Sequence, residues 1–233
     1  MAWPDVEKYL EHDQRLILVT GSFEQHGRHL GEGTDRITAE TIARRLGEAT
    51  GVPVAPAVPF GMSLHHMKFP GTISLKPATL AMVLVDVITS VYSHGFRRLF
   101  IVNGHGGNKG AIDAALAETT NSLPGLRVKV GHWWQEAAVD DYLRRTFGGT
   151  EYHASVAETS VMLAVRPQAV HMDRAVAAKV YGGLLYSSAE LFRQHYPDGA
   201  AGLDPRQASS EAGEHLISLV VEAYKTQMES WDD

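Results

Sequence analysis

Residues 15–35 read RLILVTGSFEQHGRHLGEGTD, and this stretch decides the fold class. Its first six residues, Arg15–Thr20, are an apolar and β-branched run of the kind that forms a buried strand. A polar segment, residues 21–35, follows at once, and residues 35–48 then carry apolar side chains at helical spacing among charged ones. The stretch therefore predicts a strand, a loop and a helix in direct succession.

The same order repeats along the chain. Short apolar runs predict further strands at residues 52–58, 98–102 and 126–130, and helical patterns predict helices at residues 77–94 and 108–123. The helices that connect parallel strands lie against the sheet, and these connections are nearly always right-handed. The alternation therefore predicts an α/β protein with a mostly parallel sheet and helices on both faces.

After Trp134 the pattern weakens. Helices are still predicted at residues 135–146, 157–165 and 210–228, whereas residues 197–206 read as a loop. No repeat, low-complexity tract or shift in composition marks a second domain. We therefore expect one domain over residues 1–233.

Composition argues against several classes of function. The chain has 233 residues and a formal net charge of −6, whereas a protein that binds along a nucleic-acid backbone needs an excess of lysine and arginine. The first residues lack the pattern of a signal peptide, and no stretch approaches the ~18 apolar residues of a membrane span, so we expect a cytoplasmic protein without membrane contact. Because cysteine is absent, a metal site must use histidine nitrogen and carboxylate oxygen.

The first polar segment, residues 21–35, follows a strand directly, and ligands of α/β sheets bind at the carboxyl ends of strands. Glu24 and His26 are two residues apart, so they share a face of an extended chain, and Asp35 begins the following helix. These residue types indicate a metal site. The alternative is a polar loop in which Asp35 only caps the helix or favours its dipole.

The second polar segment is NGHGGN at residues 103–108, which also follows a strand and opens a helix. His105 lies among glycines, which allow close approach of the backbone, and this favours a ligand role over a buried structural histidine. A phosphate-binding loop is the alternative. That reading is weak because the lysine–hydroxyl pair of a P-loop is missing.

Two more segments carry reactive side chains. EYHASVAETS at residues 151–160 contains His153 and Glu158, although Glu158 could simply favour the N-terminus of a helix. SLHHMKFPGTIS at residues 63–74 is a long excursion after a strand with paired histidines. Loops of this length are more often functional than idle.

Together these segments resemble the creatininase (creatinine amidohydrolase) family, whose members carry a GSxEQHGxHL segment, an NGHxxN loop and a late HxxxxETS segment in this order. The match runs from about residue 16 to residue 167. The resemblance implies a homo-oligomeric, often hexameric, α/β hydrolase. Such an enzyme binds two divalent metal ions and acts on a small molecule. Zinc is the first expectation, with manganese or iron(II) as alternatives.

The resemblance also implies a role for each matching residue. Glu24 and His105 would bind one metal ion, His26 would bind the other, and Asp35 would bridge them. His153 would be the catalytic acid or base near the leaving group.

The chain departs from the family pattern in one ligand. Creatininase proper has an acidic ligand at the position of Gly107, and we expect Glu158 to take its place. His66 and Phe69 are expected to line the substrate pocket, and the N–H groups of Gly106 and Gly107 to face a developing oxyanion.

These features predict a metal-dependent amidohydrolase that uses activated water to cleave a C–N amide bond in a cyclic amide or a formamide. The HHMKFPGT segment resembles the branch of the family that does not act on creatinine. Hydrolysis of a peptide or of a cyclic keto-sugar such as a dehydro-inosose is the alternative among enzymes. A nonenzymatic metal-binding oligomer and an anion- or nucleotide-binding module are the alternatives of other classes.

Overall fold

A computed structural model describes residues 1–177, 180 and 188–231. Within these residues a parallel sheet has the order β1 (Arg15–Thr20), β2 (Arg98–Asn103) and β3 (Arg127–His132). The register places the last residues of β1, β2 and β3 side by side. The carboxyl ends of the three strands therefore meet at one edge of the sheet, where the polar segments begin.

The predicted strand at residues 52–58 is wrong as a regular strand. The segment does run beside β1, but it makes only isolated parallel bridges, from Val54 to Ile17 and from Val58 to Thr20. Pro53 and Pro56 lack the N–H group that a continuous ladder requires. The segment is thus extended and parallel to β1, but it lacks the regular hydrogen bonding of the predicted strand.

The six predicted helices are confirmed, each with ends within two residues of the prediction. The described residues also contain two α-helices that the sequence pattern did not predict, at the N-terminus and shortly before the last helix. The eight described helices are α1 (Trp3–Leu10), α2 (Thr34–Thr50), α3 (Pro77–Ser93), α4 (Lys109–Ser122), α5 (Ala137–Phe147), α6 (Val156–Val165), α7 (Ala189–His195) and α8 (Ser210–Glu229).

Two hydrophobic clusters cover the two faces of the sheet. Successive residues of a strand point to opposite faces, so Ile17 and Val19 belong to one cluster while Leu16 and Leu18 belong to the other. The first cluster buries apolar side chains of α2, α5, α6 and α8, and the second buries those of α1, α3 and α4. The predicted α/β class with helices on both faces is confirmed. None of the described helices is long and apolar enough to cross a membrane.

Candidate metal centre and active site

Two strands and two helices deliver acidic and histidine side chains to the carboxyl edge of the sheet. Glu24 and His26 follow β1, and His105 lies two residues after β2. Asp35 and Glu158 lie in the first turns of α2 and α6. All five side chains are buried, and a cavity of about 70 Å³ opens beside them.

Glu24, Asp35 and His105 form the first group with metal-binding geometry, since one ligand atom from each lies within 4.8 Å of the others. His105 Nε2 lies 3.1 Å from Glu24 Oε2, and His105 Nδ1 lies 3.1 Å from Asp35 Oδ2. Glu24 Oε1 and Asp35 Oδ2 are buried and accept no hydrogen bond. A buried carboxylate oxygen without a partner is costly, and a bound cation would remove that cost.

His26 lies on the other side of Asp35. Its Nε2 is 3.0 Å from Asp35 Oδ1 and 3.8 Å from Glu158 Oε2. Its Nδ1 donates a hydrogen bond of 3.0 Å to the backbone carbonyl of Glu24, which orients the ring as the outer partners of metal-binding histidines do. The two oxygens of Asp35 thus face two different histidines.

His153 and His66 lie at the same site and are held by Gln25. His153 Nε2 is within 3.0 Å of the Gln25 backbone carbonyl and 2.8 Å of its side-chain amide nitrogen, so His153 Nδ1 faces the carboxylates. The Gln25 amide also lies 2.9 Å from His66 Nδ1, which leaves His66 Nε2 3.3 Å from Glu24 Oε1. His153 belongs to two further groups with metal-binding geometry, one with Glu24 and His66 and the other with His26 and Glu158.

The buried acids and histidines of the site shift one another's pKa values. Burial alone would raise the pKa of Glu24, but the positive charges of His105 and His66 hold that pKa well below its usual range. Burial opposes charge on His105 as well, yet Glu24 and Asp35 raise its pKa to about 9. Asp35 and Glu158 likewise raise the pKa of His26 against the effect of burial. In the protein without metal, protons on these two histidines balance the carboxylates, and a divalent ion would displace them.

Gln25 and Glu151 are site residues that the sequence analysis missed. Gln25 stands between two predicted ligands, and its place in that motif was the available signal. Glu151 lines the cavity two residues before His153, and its Oε2 accepts a hydrogen bond of 3.0 Å from Ala157 N. Burial, and then the charge of Glu158, raise the pKa of Glu151 to about 8. Aromatic side chains of Trp134, Tyr152 and Phe192 complete the wall.

The four predicted substrate-binding residues divide into two pairs. His66 and Gly106 line the cavity. Phe69 does not, because its buried ring packs behind His66 and Phe192. Phe192 takes the position expected for Phe69, with its ring centroid 4.5 Å from that of His66.

Gly107 also lies outside the cavity wall, and its surroundings leave no room for a side chain. A Cβ atom there would collide with the Met62 carbonyl and lie 2.5 Å from His105 Nε2. The close approach to Met62 lets its carbonyl accept a hydrogen bond of 3.0 Å from His105 Nε2. A side chain at position 107 would therefore disturb His105 before it could reach a metal ion.

We expect Gly107→Glu to destabilise the protein without adding a metal ligand. Overpacking of this kind costs about 1–3 kcal/mol in the free energy of unfolding, which thermal unfolding with and without zinc can measure. Gly110→Glu is the matched control, because Gly110 has open space around its Cβ position. A Gly107→Glu protein that is as stable as the control and binds more metal would contradict this expectation.

Comparison with known proteins establishes the family. The profile of the creatininase family, described as creatinine amidohydrolase, matches residues 1–227. The chain belongs to the creatininase family. The resemblance seen in the sequence motifs is thereby confirmed over nearly the whole chain.

Several known hydrolases are similar to this chain over most of its length. Creatinine amidohydrolase of Pseudomonas putida is 29% identical over 95% of this chain and 92% of its own. Mycofactocin precursor peptide peptidase of Mycolicibacterium smegmatis is 32% identical over 93% of this chain and 85% of its own. The 3-dehydro-scyllo-inosose hydrolase of Thermotoga maritima is 29% identical over 79% of this chain and 60% of its own.

Solved creatininase structures share the fold. A manganese creatininase and a mutant creatininase of the Zn-Zn type each superpose with a TM-score of 0.84 at 28% identity, over 100% of this chain and 97% of theirs. Family membership and the named relatives together make this chain a hydrolase that acts on carbon–nitrogen bonds.

Proposed function

We propose that the chain is a binuclear metal-dependent amidohydrolase with Asp35 between the two ions. Glu24 and His105 complete the first set of ligands, and His26 and Glu158 complete the second. The observation that carries this assignment is the placement of Asp35, whose Oδ1 lies 3.0 Å from His26 and whose Oδ2 lies 3.1 Å from His105. A carboxylate with one oxygen toward each set suits a bridging ligand.

The donor set suits the proposed ions. Histidine nitrogen and carboxylate oxygen bind zinc, manganese and iron(II), and we propose zinc first. The buried oxygens of Glu24 and Asp35 that accept no hydrogen bond face histidine nitrogens, and this arrangement fits a bound cation. Two divalent ions in these places would acidify a water molecule toward neutral pH and polarise the scissile carbonyl.

His153 is proposed to move the proton to the departing nitrogen. Gln25 holds its Nε2, so Nδ1 faces the cavity and is the atom that exchanges the proton. Burial, together with the positive charges of His66 and His26, holds the pKa of His153 well below its usual range. The ring is therefore neutral before the reaction, and it readily releases to the departing nitrogen a proton that it accepts during turnover. The N–H group of Gly106, which lines the cavity, stays the proposed contact for the developing oxyanion.

The cavity supports a small substrate. Its volume of about 70 Å³, its aromatic wall and its many polar groups suit a small cyclic amide or a formamide. A peptide end or a cyclic keto-sugar is the second candidate, since relatives named for such substrates cover much of this chain. The predictions of a cytoplasmic homo-oligomer, of a hexamer, and of one domain over residues 1–233 stay predictions.

Elemental analysis of Glu158→Gln tests the second ligand set. We expect about two ions per chain in the wild type and about one in this variant, because Gln keeps the shape of the side chain but loses the charge that a metal ligand needs. Hydrolysis of a panel with creatinine, formamides, short peptides and a cyclic keto-sugar should then identify the substrate class.

Glu151→Gln is the matched control for this experiment. Glu151 also lines the cavity near the start of α6, but it is in none of the groups with metal-binding geometry found among the described residues. Equal metal loss in both variants would remove the assignment of Glu158. A wild type that binds no metal even after reconstitution would overturn the proposed function and would favour an anion- or nucleotide-binding module. A metal-loaded protein without activity on any member of the panel would favour a nonenzymatic metal-binding oligomer.

A further inference from the structure

Beside the two proposed metal positions, Glu24, His66 and His153 converge at a third place. We propose that these residues form a weaker, inhibitory metal site, which takes a zinc ion only when zinc is in excess. Its ligand atoms would be Glu24 Oε1, His66 Nε2 and His153 Nδ1. One ligand atom from each of the three residues lies within 4.8 Å of the other two.

Glu24 divides its two oxygens between two places. Its Oε2 accepts a hydrogen bond of 2.9 Å from Ser22 Oγ and lies 3.1 Å from His105 Nε2, on the side of the first ligand set. Its Oε1 lies 3.3 Å from His66 Nε2 and 3.8 Å from His153 Nδ1, yet it accepts no hydrogen bond. The side chain is fully buried. The oxygen therefore lies beside two imidazole nitrogens without a hydrogen-bond partner of its own.

The separations fit tetrahedral zinc. With metal–ligand bonds of ~2.0–2.1 Å, two ligand atoms of a tetrahedral ion lie ~3.3 Å apart. The distances from Glu24 Oε1, 3.3 Å to His66 and 3.8 Å to His153, differ from that value by at most about half an ångström. The two imidazole rings are stacked with their centroids 4.5 Å apart and their planes 21° apart, so they lie side by side near the same carboxylate oxygen. Small shifts of these side chains would bring the ligand atoms to the separations of tetrahedral zinc.

Gln25 contacts the outer ring nitrogens of both histidines. The side-chain amide of Gln25 lies 2.9 Å from His66 Nδ1, and its backbone carbonyl lies 3.0 Å from His153 Nε2. The same side chain is itself fixed by a hydrogen bond of 3.0 Å to the Gly199 carbonyl. The Gln25 carbonyl can accept the proton of His153 Nε2, which leaves His153 Nδ1 free for a metal ion. The Gln25 amide nitrogen only donates, so the proton of neutral His66 lies on Nε2, and an ion that binds there must displace it.

A metal ion at this site would inhibit hydrolysis. An ion bound to His153 Nδ1 occupies the lone pair that the transferred proton needs, so Nδ1 can no longer accept or release that proton. This consequence rests on the role of His153 in the proposed function, whereas binding of the ion does not. The site has one carboxylate, which it shares with the first ligand set, and we therefore expect weaker affinity than at the two proposed positions.

Metal counting at controlled free zinc tests the site. The wild type, His66→Phe and His66→Asn are dialysed against zinc buffers over a wide range of free zinc, and bound zinc per chain is measured by elemental analysis. We expect the wild type to bind one more ion at high free zinc than at low, and both His66 variants to lack that ion. Wild-type hydrolysis should fall by roughly 10²-fold or more as the ion binds, because proton transfer is lost.

His65→Phe is the matched control. His65 is buried next to His66, with ring centroids 4.1 Å apart, but it belongs to none of the metal-binding groups among the described residues. This variant should keep the additional ion. An unchanged ion count at every zinc concentration in the wild type, or an additional ion that His66→Phe and His66→Asn retain, would overturn the site. Fewer than two ions at low free zinc would contradict the proposed function instead, and the difference between the wild type and the His66 variants would still decide the third site.

Discussion

Asp35→Asn is expected to lose both metal ions and nearly all hydrolysis. Asp35 is the side chain that faces both proposed ligand sets, with Oδ1 toward His26 and Oδ2 toward His105. The amide of Asn carries no charge and offers one oxygen, so it cannot bridge two cations. Several kcal/mol of transition-state stabilisation depend on the ions, and each ~1.4 kcal/mol is a factor of ten, so the rate should fall by roughly 10³-fold or more. Elemental analysis and steady-state kinetics measure the two effects.

Glu32→Gln is the control for this variant. Glu32 lies in the same segment three residues before Asp35, and one of its oxygens is also buried without a hydrogen bond. It is in none of the metal-binding groups found among the described residues. We expect Glu32→Gln to keep both ions. If Asp35→Asn kept two ions as well, Asp35 would not be the bridge, and the binuclear arrangement would need another shared ligand.

The sequence predicts most of the fold because apolar residues recur with different spacing in strands and in helices. Buried runs such as Arg15–Thr20 are continuous, as expected for strands covered on both faces. The error at residues 52–58 has a local cause, since the prolines preserve an extended chain but remove hydrogen-bond donors. The helix α7 (Ala189–His195) has only two turns, and so short a helix leaves little periodic signal.

The ligand candidates could be predicted because their positions depend on strand ends. Glu24 and His105 each follow a strand closely, so a parallel sheet brings them to the same edge whatever the loops do. The cavity wall depends on the loops instead. Phe69 and Phe192 are 123 residues apart in sequence, and only the packing of α7 over residues 64–69 decides which ring faces the cavity. No local pattern contains that information.

Gln25, which contacts His66 and His153, could not be identified from the sequence either. Gln25 has no charge and stands between two candidate ligands in sequence, although its side chain contacts two histidines of the cavity from distant segments. A residue whose role is to orient other side chains need not be acidic, basic or nucleophilic, so its residue type does not mark that role in the sequence. Their role becomes visible only when the partners, such as His66 and His153, are seen in place.

His153→Ala is expected to lower turnover by roughly 10²- to 10⁴-fold, which is the usual contribution of a positioned proton donor or acceptor. Its Nδ1 lies 3.8 Å from Glu24 Oε1, and Gln25 contacts its other nitrogen. Because the proposed ligand sets do not include His153, the two tightly bound ions should remain. Steady-state kinetics together with elemental analysis at low free zinc separates these effects.

His29→Ala is the control, because His29 is also buried, contacts Thr159 and belongs to none of the metal-binding groups among the described residues. We expect this variant to keep both ions and most of its turnover.

His153 has an alternative role as a metal ligand, since it also forms a group with metal-binding geometry together with His26 and Glu158. If His153→Ala lost one tight ion together with its activity, His153 would be a ligand of the second metal. The proton would then need another carrier, and Glu151, whose pKa is raised to about 8 by burial and by Glu158, is the remaining acid that lines the cavity without belonging to a ligand set. If the variant retained both ions but lost turnover, the result would support His153 as the residue that transfers the proton.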